Sequence, residues 1–176
     1  MFSRLMLLAL LLAAGKAGAD ELKVSAVVNP LQVKAIVSSI SAFEKGQMVA
    51  ADQIVSVTTR TSSFLVVPAT YAADKAGGCH LYLLSQRYQL NDKMTLWVND
   101  DSFACDAVLS VFGCRLSPKS GIVVMVGLRS GERRQPQSLF LEAAGNGGLA
   151  QNVVLTSQLA GADSAFQARQ RLGCLK

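Results

Sequence analysis

Four cysteines, Cys79, Cys105, Cys114 and Cys174, carry most of the reactive chemistry that this chain offers. Structural zinc sites commonly use cysteine pairs spaced C-x-x-C, and no such pair occurs here. A nucleophile built from Cys79 and His80 is disfavoured, because neighbouring residues of a β-strand point to opposite faces of the sheet. We therefore expect the cysteines to form disulfides, and we expect no metal and no cofactor.

The other polar residues do not form a known catalytic pattern. One histidine leaves a Ser-His-Asp triad a single possible base, and G-x-S-x-G is absent. The aspartates between positions 100 and 106 lack the D-x-D-x-D-G calcium motif and are better read as a solvated turn. Trp97 could form a sugar or peptide platform with Tyr82 and Tyr88, but a core position is favoured. We predict a protein that is not an enzyme, with His80 on the solvent side or edge of a sheet.

Three arginines form the most plausible recognition patch. Arg129, Arg133 and Arg134 lie with Glu132 in a polar segment between two apolar runs. A hairpin with its tip in this segment would present positive charge, which suits an acidic protein surface or an anionic envelope polymer. We take the three arginines as candidate binding residues, and a solvated tip without a partner is the alternative.

The first 19 residues are typical of a secretory signal peptide. Arg4 precedes an apolar run at residues 5–14, and Ala17-Gly18-Ala19 forms an A-x-A exit. The run is shorter than the ~20 apolar residues that a spanning helix needs, so we expect cleavage after Ala19 and no integral membrane anchor afterwards. The predicted location is periplasmic or secreted.

Residues 20–176 are predicted to form one exported domain. Removal of residues 1–19 takes away two of the 17 basic residues and none of the 12 acidic ones, which lowers the net charge from +5 to +3. No Lys/Arg tract with interleaved aromatic residues occurs, so we expect no nucleic-acid partner. A chain of this length can bury a substantial core.

The hydrophobic pattern is that of a mainly β protein. Alternating or short apolar runs bounded by turn residues predict ten strands, at residues 22–28, 31–40, 54–61, 64–67, 79–84, 94–98, 103–112, 122–128, 138–142 and 151–156. Residues 31–40 also show helical spacing, but their β-branched content favours a strand. The predicted turns and loops lie at residues 44–47, 69–78, 90–93, 99–102, 117–121, 129–136 and 143–149. The strands that follow Cys79 resemble an antiparallel meander, and 122–128 is predicted to be central and buried.

One short helix is predicted near the C-terminus. Ser164 and Gln167 have the spacing of a capping box, and Gly173 is placed to end the helix after Leu172. The expected fold is therefore an antiparallel β-sandwich or barrel-like domain with a short C-terminal helix, braced by disulfides.

Strand geometry favours one of the three possible disulfide pairings. A Cys105–Cys114 bridge is disfavoured, because eight intervening residues without a turn signal hold the two Cα atoms beyond the ~7 Å limit. In a meander, Cys79 and Cys105 lie at the same end of the sheet. We predict Cys79 with Cys105 and Cys114 with Cys174, and a bend between Cys105 and Cys114 would reopen the alternative.

The segment ISAFEKGQMVAADQI at residues 40–54, followed by a strand ending at Arg60, resembles the SAF-type segments of flagellar P-ring chaperones (the FlgA family) and related pilus-assembly proteins. In those proteins a hydrophobic strand leads into a Lys/Arg-Gly turn, then an apolar pair, then an Asp before Leu or Ile. The likeness covers about 25 of the 176 residues and carries no catalytic residue. A generic strand-turn-strand is the alternative.

These features favour a non-enzymatic accessory or assembly protein of a cell-envelope machine, such as a pilus, flagellum, or secretion or conjugation apparatus. Its expected partner is an envelope or appendage protein, bound in part through exposed strand edges. One alternative is a fimbrial or surface subunit whose strand at residues 22–28 inserts into a neighbour. The other alternative is an envelope enzyme or enzyme inhibitor.

Overall fold

Two antiparallel β-sheets face each other in the computed structural model, and α-helices cover the outer face of each sheet. The structure describes residues 22–71, 77–116, 119–144 and 148–174. The predicted signal peptide, residues 1–19, lies outside the described residues. The predicted disulfide-braced antiparallel sandwich is confirmed.

Sheet A contains six strands: β1 (Lys23–Ala26), β2 (Gln47–Val49), β3 (Val55–Thr58), β4 (Ser63–Tyr71), β5 (Gly78–Ser85) and β6 (Leu90–Val98). Their order is β1-β3-β4-β5-β6, and β2 pairs with the last residues of β4. Sheet B contains β7 (Ala104–Arg115), β8 (Ser120–Ser130), β9 (Arg133–Ala143) and β10 (Leu149–Gln151), in the order β10-β9-β8-β7. The helices are α1 (Pro30–Phe43), α2 (Val153–Gln158) and α3 (Ala165–Leu172), and a 3-10 turn lies at Ala51–Gln53.

Strand β8 shows how one strand contributes to two apolar layers. Ile122, Val124 and Val126 point into the core between the sheets. Val123 and Met125 point to the outer face, into the apolar cluster that α2 and α3 help to form. Both faces of β8 are covered, which explains its continuous apolar sequence and confirms the predicted central strand.

The prediction of a strand at residues 31–40 is wrong, because this segment lies in α1. Asn29 Oδ1 accepts backbone N–H bonds of 3.0 and 3.4 Å from the first turn, and Pro30 occupies the first helical position. Ile36 and Ile40, four residues apart on one face, are fully buried against the outer face of sheet A. Burial of this face and the Asn29 cap outweigh the β-propensity of the sequence.

The predicted strand at residues 151–156 is also wrong. Strand β10 ends at Gln151, and α2 follows directly. Asn152 Oδ1 accepts the Leu155 N–H at 2.9 Å and so caps the helix. Thr156 Oγ1 accepts the N–H of Phe140 at 3.0 Å, which holds α2 to β9.

Helix α3 confirms the predicted C-terminal helix and its cap. Ser164 Oγ accepts the Gln167 N–H at 3.3 Å, and the Gln167 side chain reaches back to the N–H of Asp163 at 3.2 Å. Gly173 ends the helix with a φ of +66°, in the left-handed region that favours glycine.

Strand β4 is longer than predicted, since it continues through Pro68 to Tyr71. The carbonyl oxygen of Pro68 accepts the N–H of Ala50 at 2.9 Å. This bond lies where β4 changes its partner from β3 to β2. The sheet therefore needs no backbone N–H donor at Pro68, which proline lacks. The predicted loop at 69–78 therefore begins too early, and its residues 72–76 lie outside the described residues.

The predicted turn at residues 90–93 is wrong, because these residues open β6. The turn lies at residues 86–89 instead. Ser85 Oγ accepts two backbone N–H bonds of 3.2 Å there, and Tyr88 adopts a φ of +61°. Two hydrogen bonds accepted by one serine thus close the hairpin before the polar residues that suggested a turn.

The predicted meander is correct for β5 and β6 and wrong for the next strand, because β7 belongs to sheet B. Strand β7 crosses the inner face of sheet A, from β5 at Cys105 to β1 at Gly113. The turn at residues 99–102 carries the chain from one sheet to the other. A strand can cross a facing sheet in this way when the two sheets pack at a large angle.

Both predicted disulfides are confirmed. Cys79–Cys105 joins the facing sheets with a Cα–Cα distance of 5.7 Å. Cys114–Cys174 joins β7 to the residue after the end cap of α3, with a Cα–Cα distance of 5.0 Å. The first pair was predicted for a shared sheet, whereas the structure brings its cysteines together across the sandwich.

Candidate functional site

A cleft of ≈ 460 Å³ opens between β1 and β7. Residues 22–24 and 26 line one side and residues 111–115 the other, together with Val55 and Arg169. Strand β1 is an edge of sheet A and β7 is an edge of sheet B. The cleft therefore lies where an edge of one sheet meets an edge of the other.

The edge of β1 directs backbone hydrogen-bonding groups toward the cleft. Successive residues of an antiparallel strand turn their N–H and C=O groups to opposite edges. The Val27 N–H bonds to the Ile54 carbonyl oxygen at 3.0 Å, on the β3 side. By alternation, Val24 and Ala26 turn their backbone groups away from β3. The Leu22 N–H bonds to Ser120 Oγ and Val24 packs against β7, so the part of this edge that can pair with an extended segment lies at Ala26.

The edge of β7 contacts β1 at Gly113. The Val111 N–H points away from β8 and bonds to Gln53 Oε1 at 3.1 Å, so Gly113, two residues later, faces the same edge. A Cβ atom at Gly113 would lie 2.8 Å from Val24 Cβ. Any larger residue at this position would push β1 and β7 apart.

The cleft is basic. Lys23, Arg115 and Arg169 line it, and none of the lining residues within the described ranges is acidic. The Arg169 guanidinium lies 4.5 Å from the ring centroid of Phe112, a cation–π contact with the floor of the cleft. The contact holds the charge in one place, because the ring and α3 restrict the side chain.

The cationic residues of the cleft were not identified from the sequence, since positions 23, 115 and 169 are far apart in the chain. The predicted Cys114–Cys174 disulfide was the one signal in the sequence that could have placed two of these residues near each other. Arg115 follows Cys114, and Arg169 lies five residues before Cys174, so that bridge already implied two nearby cations.

The predicted recognition patch is a tight hairpin, and the predicted loop at 129–136 is wrong. Strands β8 and β9 continue to a two-residue turn, Gly131-Glu132, in which Gly131 has a φ of +58°. Arg129 pairs with Arg134 across the hairpin, and Ser130 pairs with Arg133. Arg129 and Arg134 therefore share one face of the hairpin, and Arg133 points to the opposite face.

Part of the charge on this hairpin is neutralised by acidic neighbours. Arg134 donates from Nε and Nη2 to Asp106 Oδ2, at 3.1 and 2.6 Å. Arg129 lines a smaller pocket of ≈ 240 Å³ with residues 100–104, which include two aspartates. Arg133 is exposed on the hairpin. The tip therefore presents mixed charge.

A second polar group lies on the outer face of sheet A, at the end of α1. Glu44 Oε2 accepts hydrogen bonds from the Tyr82 hydroxyl at 2.6 Å and from Lys93 Nζ at 2.7 Å. Burial alone would raise the pKa of Glu44, but the bonds from Lys93 and Tyr82 outweigh it and lower that pKa. Burial and the Glu44 carboxylate raise the pKa of Tyr82. The cluster ties α1 to β5 and β6.

His80 lies beside this cluster. It was expected on the solvent side or edge, but it is 7% exposed, so that expectation is wrong. Its Nδ1 lies 3.3 Å from Thr95 Oγ1, and its ring meets that of Tyr71 edge-on at 5.6 Å. Burial lowers the pKa of His80, and the nearby Lys93 charge lowers it further. Cys79 points to the opposite face, into the core between the sheets, which removes the Cys-His pair.

The aromatic residues that could have formed a platform are separated. Trp97 packs against the core between the sheets, with its ring edge-on to Phe103 at 6.2 Å. Tyr82 and Tyr88 belong to the apolar cluster on the opposite face of sheet A. These three rings therefore form no common surface.

Within residues 22–71, 77–116, 119–144 and 148–174, no group of three or more His, Cys, Asp or Glu side chains could hold a metal ion. In the same ranges, none of the helices has the length and hydrophobicity to cross a bilayer.

Searches of protein-family models, curated proteins and solved structures find no match to this chain.

Proposed function

We propose that this protein is a non-enzymatic accessory or assembly protein of a cell-envelope machine, such as a pilus, flagellum, or secretion or conjugation apparatus. It acts by binding another envelope or appendage protein. The observation that carries the proposal is the cleft between β1 and β7. Strand edges beside an open groove suit recognition of an extended segment of a partner, because backbone pairing supplies affinity and side-chain contacts supply specificity.

The proposed location is periplasmic or secreted. Two disulfides within one domain persist in oxidising compartments and are rare in the reducing cytosol. The signal-peptide pattern at residues 1–19 and the SAF-type likeness of residues 40–60 agree with this part of the proposal.

A fimbrial or surface subunit is the second candidate. A subunit of that kind would donate the strand at residues 22–28 to a neighbour. Here β1 pairs with β3 of its own chain in regular register, and the Leu22 N–H bonds to Ser120 Oγ at 2.7 Å. The accessory function is preferred because β1 completes its own sheet.

Site-specific photo-crosslinking in the native envelope tests the proposed function. A benzoylphenylalanine replaces Ala26, which is exposed and lines the cleft. The control places the same group at Gln151, exposed on β10 at the far edge of sheet B. We expect an adduct from position 26 alone, with a partner that mass spectrometry identifies as a component of an envelope appendage or secretion machine.

Equal labelling from both positions, or no adduct from position 26, would refute a partner site in the cleft. An adduct with a second copy of this chain would support the subunit function instead.

A further inference from the structure

We infer that the cleft between β1 and β7 binds an extended, acidic segment of the partner protein, with a carboxylate of that segment on Arg169. The inference rests on the proposed function and names the chemistry of the partner. It begins from charge: Lys23 and Arg169 line the cleft, and no acidic residue does so among those that the structure describes. A groove with one sign of charge raises the local concentration of ligands of the opposite sign.

Arg169 is the best-placed group to receive the carboxylate. Its guanidinium lies over the Phe112 ring at 4.5 Å, so the plane of the group is restricted before a ligand arrives. The N–H groups around the edge of a guanidinium can form two parallel bonds to one carboxylate. Because the contact with the Phe112 ring limits the conformations of the side chain, binding loses less conformational entropy.

The helix that carries Arg169 is fixed at both of its ends. Helix α3 begins at the Ser164 cap, and the Cys114–Cys174 bond ties the chain just beyond its end to β7. Cys114 also lines the cleft. The disulfide therefore sets the distance between Arg169 and the strand edges that form the groove.

The walls of the cleft favour a peptide over other anions. Val24, Val111 and Phe112 provide apolar contacts. By alternation, Ala26 turns its backbone N–H and C=O away from β3, where an extended segment can pair with them. A volume of ≈ 460 Å³ falls within the usual range for ligand pockets. A protein that makes about 6–10 phosphate contacts needs an extended cationic surface, whereas this cleft is narrow and carries few cations.

Fluorescence anisotropy with the purified, oxidised protein tests this inference. The probe is a labelled heptapeptide of alternating Val and Glu, and its matched control alternates Val and Gln. We expect the acidic peptide to bind about tenfold more tightly or better. Its affinity should fall as ionic strength rises, since the attraction between charges is screened.

Charge-removing variants locate the binding site. Arg169→Gln should weaken binding of the acidic peptide about tenfold, and Lys23→Gln about threefold. Arg133→Gln, which removes an exposed arginine at the hairpin tip, should change it less than about twofold. Near-ultraviolet circular dichroism checks that each variant is folded. If Arg169→Gln does not fold, Lys23→Gln on β1 still decides the outcome.

Equal affinity for the two peptides, or equal losses in Arg133→Gln and Arg169→Gln, would overturn the inference. It would also be overturned if single-stranded DNA or phosphatidylglycerol vesicles bound as tightly as the acidic peptide with the same dependence on Arg169. The crosslinking experiment separates this inference from the proposed function. An adduct from position 26 with a non-acidic partner segment would retain the function and reject the acidic ligand.

Discussion

The two helical layers of this protein are attached to their sheets in different ways. Helix α1 has 14 residues and covers sheet A, with Ile36 and Ile40 fully buried. Helices α2 and α3 have six and eight residues and cover sheet B. Among the described residues, the α1 layer is held by apolar contacts and by hydrogen bonds of Glu44, whereas the second layer also carries the Cys114–Cys174 bond.

The difference follows from helix length. A long amphipathic helix presents several apolar side chains on one face and can be held by their burial. Short helices are marginal alone and bury little, so packing, caps and covalent links must supply the rest. In α3 one residue is buried, Ala168, and a cap and a disulfide flank the helix. We therefore expect the layer that carries Arg169 to depend on the Cys114–Cys174 bond, and the α1 layer to be held by its buried apolar face.

The largest expected effect on the free energy of unfolding comes from removing the Cys114–Cys174 bond, which ties α3 to β7. The double variant Cys114→Ser/Cys174→Ser frees a loop with a sequence separation of 60 residues. Loop entropy predicts a loss of about 4 kcal/mol in the free energy of unfolding, measured by urea denaturation. Binding of the acidic peptide should also weaken, because Arg169 loses its fixed position.

Cys79→Ser/Cys105→Ser is the matched control. Its loop has a separation of 26 residues, so the expected loss is about 3.5 kcal/mol. Peptide binding should remain in this variant wherever it is folded, because α3 stays attached. If both double variants lose binding to the same degree, the Cys114–Cys174 bond has no specific role in the cleft.

A smaller loss is expected from a cavity beneath α1. Ile40→Ala removes a fully buried side chain from the cluster between α1 and sheet A. We expect a loss of about 3 kcal/mol by urea denaturation, from lost apolar burial and the remaining cavity. Leu31→Ala, on the same helix but 79% exposed, should change stability by less than about 0.5 kcal/mol. Similar losses in both variants would show that α1 does not rely on its buried face.

The smallest expected effect is a pH dependence that arises from His80 and Glu44 on the outer face of sheet A. Burial lowers the folded-state pKa of His80, and the bonds from Lys93 and Tyr82 lower that of Glu44. In both cases the unfolded chain binds more protons, so stability falls as pH falls. As pH falls, the loss of stability due to His80 begins near its unfolded-state pKa of 6.5. The loss of stability due to Glu44 begins near its unfolded-state pKa of 4.5.

Urea denaturation at a series of pH values measures this dependence. His80→Gln should remove the part of the slope that begins near pH 6.5. The double variant without Cys114–Cys174 should keep the wild-type slope, because the groups responsible lie on the opposite outer face. If the pH dependence of stability disappears in the disulfide variant, the groups responsible lie in the layer of α2 and α3, which would contradict the assignment to His80 and Glu44.

Local features of the sequence predicted much of the sheet and its covalent bonds. The central strand β8, the Ser164 cap and both disulfide pairs were identified from hydrophobic pattern, capping chemistry and strand geometry. The two helices mistaken for strands share one cause. Each helix follows an asparagine cap, but the β-branched residues of each segment favoured a strand in the prediction. Each helix is held by contacts with a sheet, which the sequence pattern does not show.

The sequence by itself determined the apolar alternation and the ends of α3, because each depends on residues a few positions apart. The cysteine pairing was predicted correctly, but the facing sheets that bring Cys79 to Cys105 were decided by the tertiary structure. Only the tertiary structure decided that β7 joins the second sheet and crosses the first. That crossing brings Lys23, Arg115 and Arg169 to one cleft. Contacts between segments 50 to 100 residues apart depend on the packing of whole sheets, and no local pattern encodes the angle at which two sheets meet.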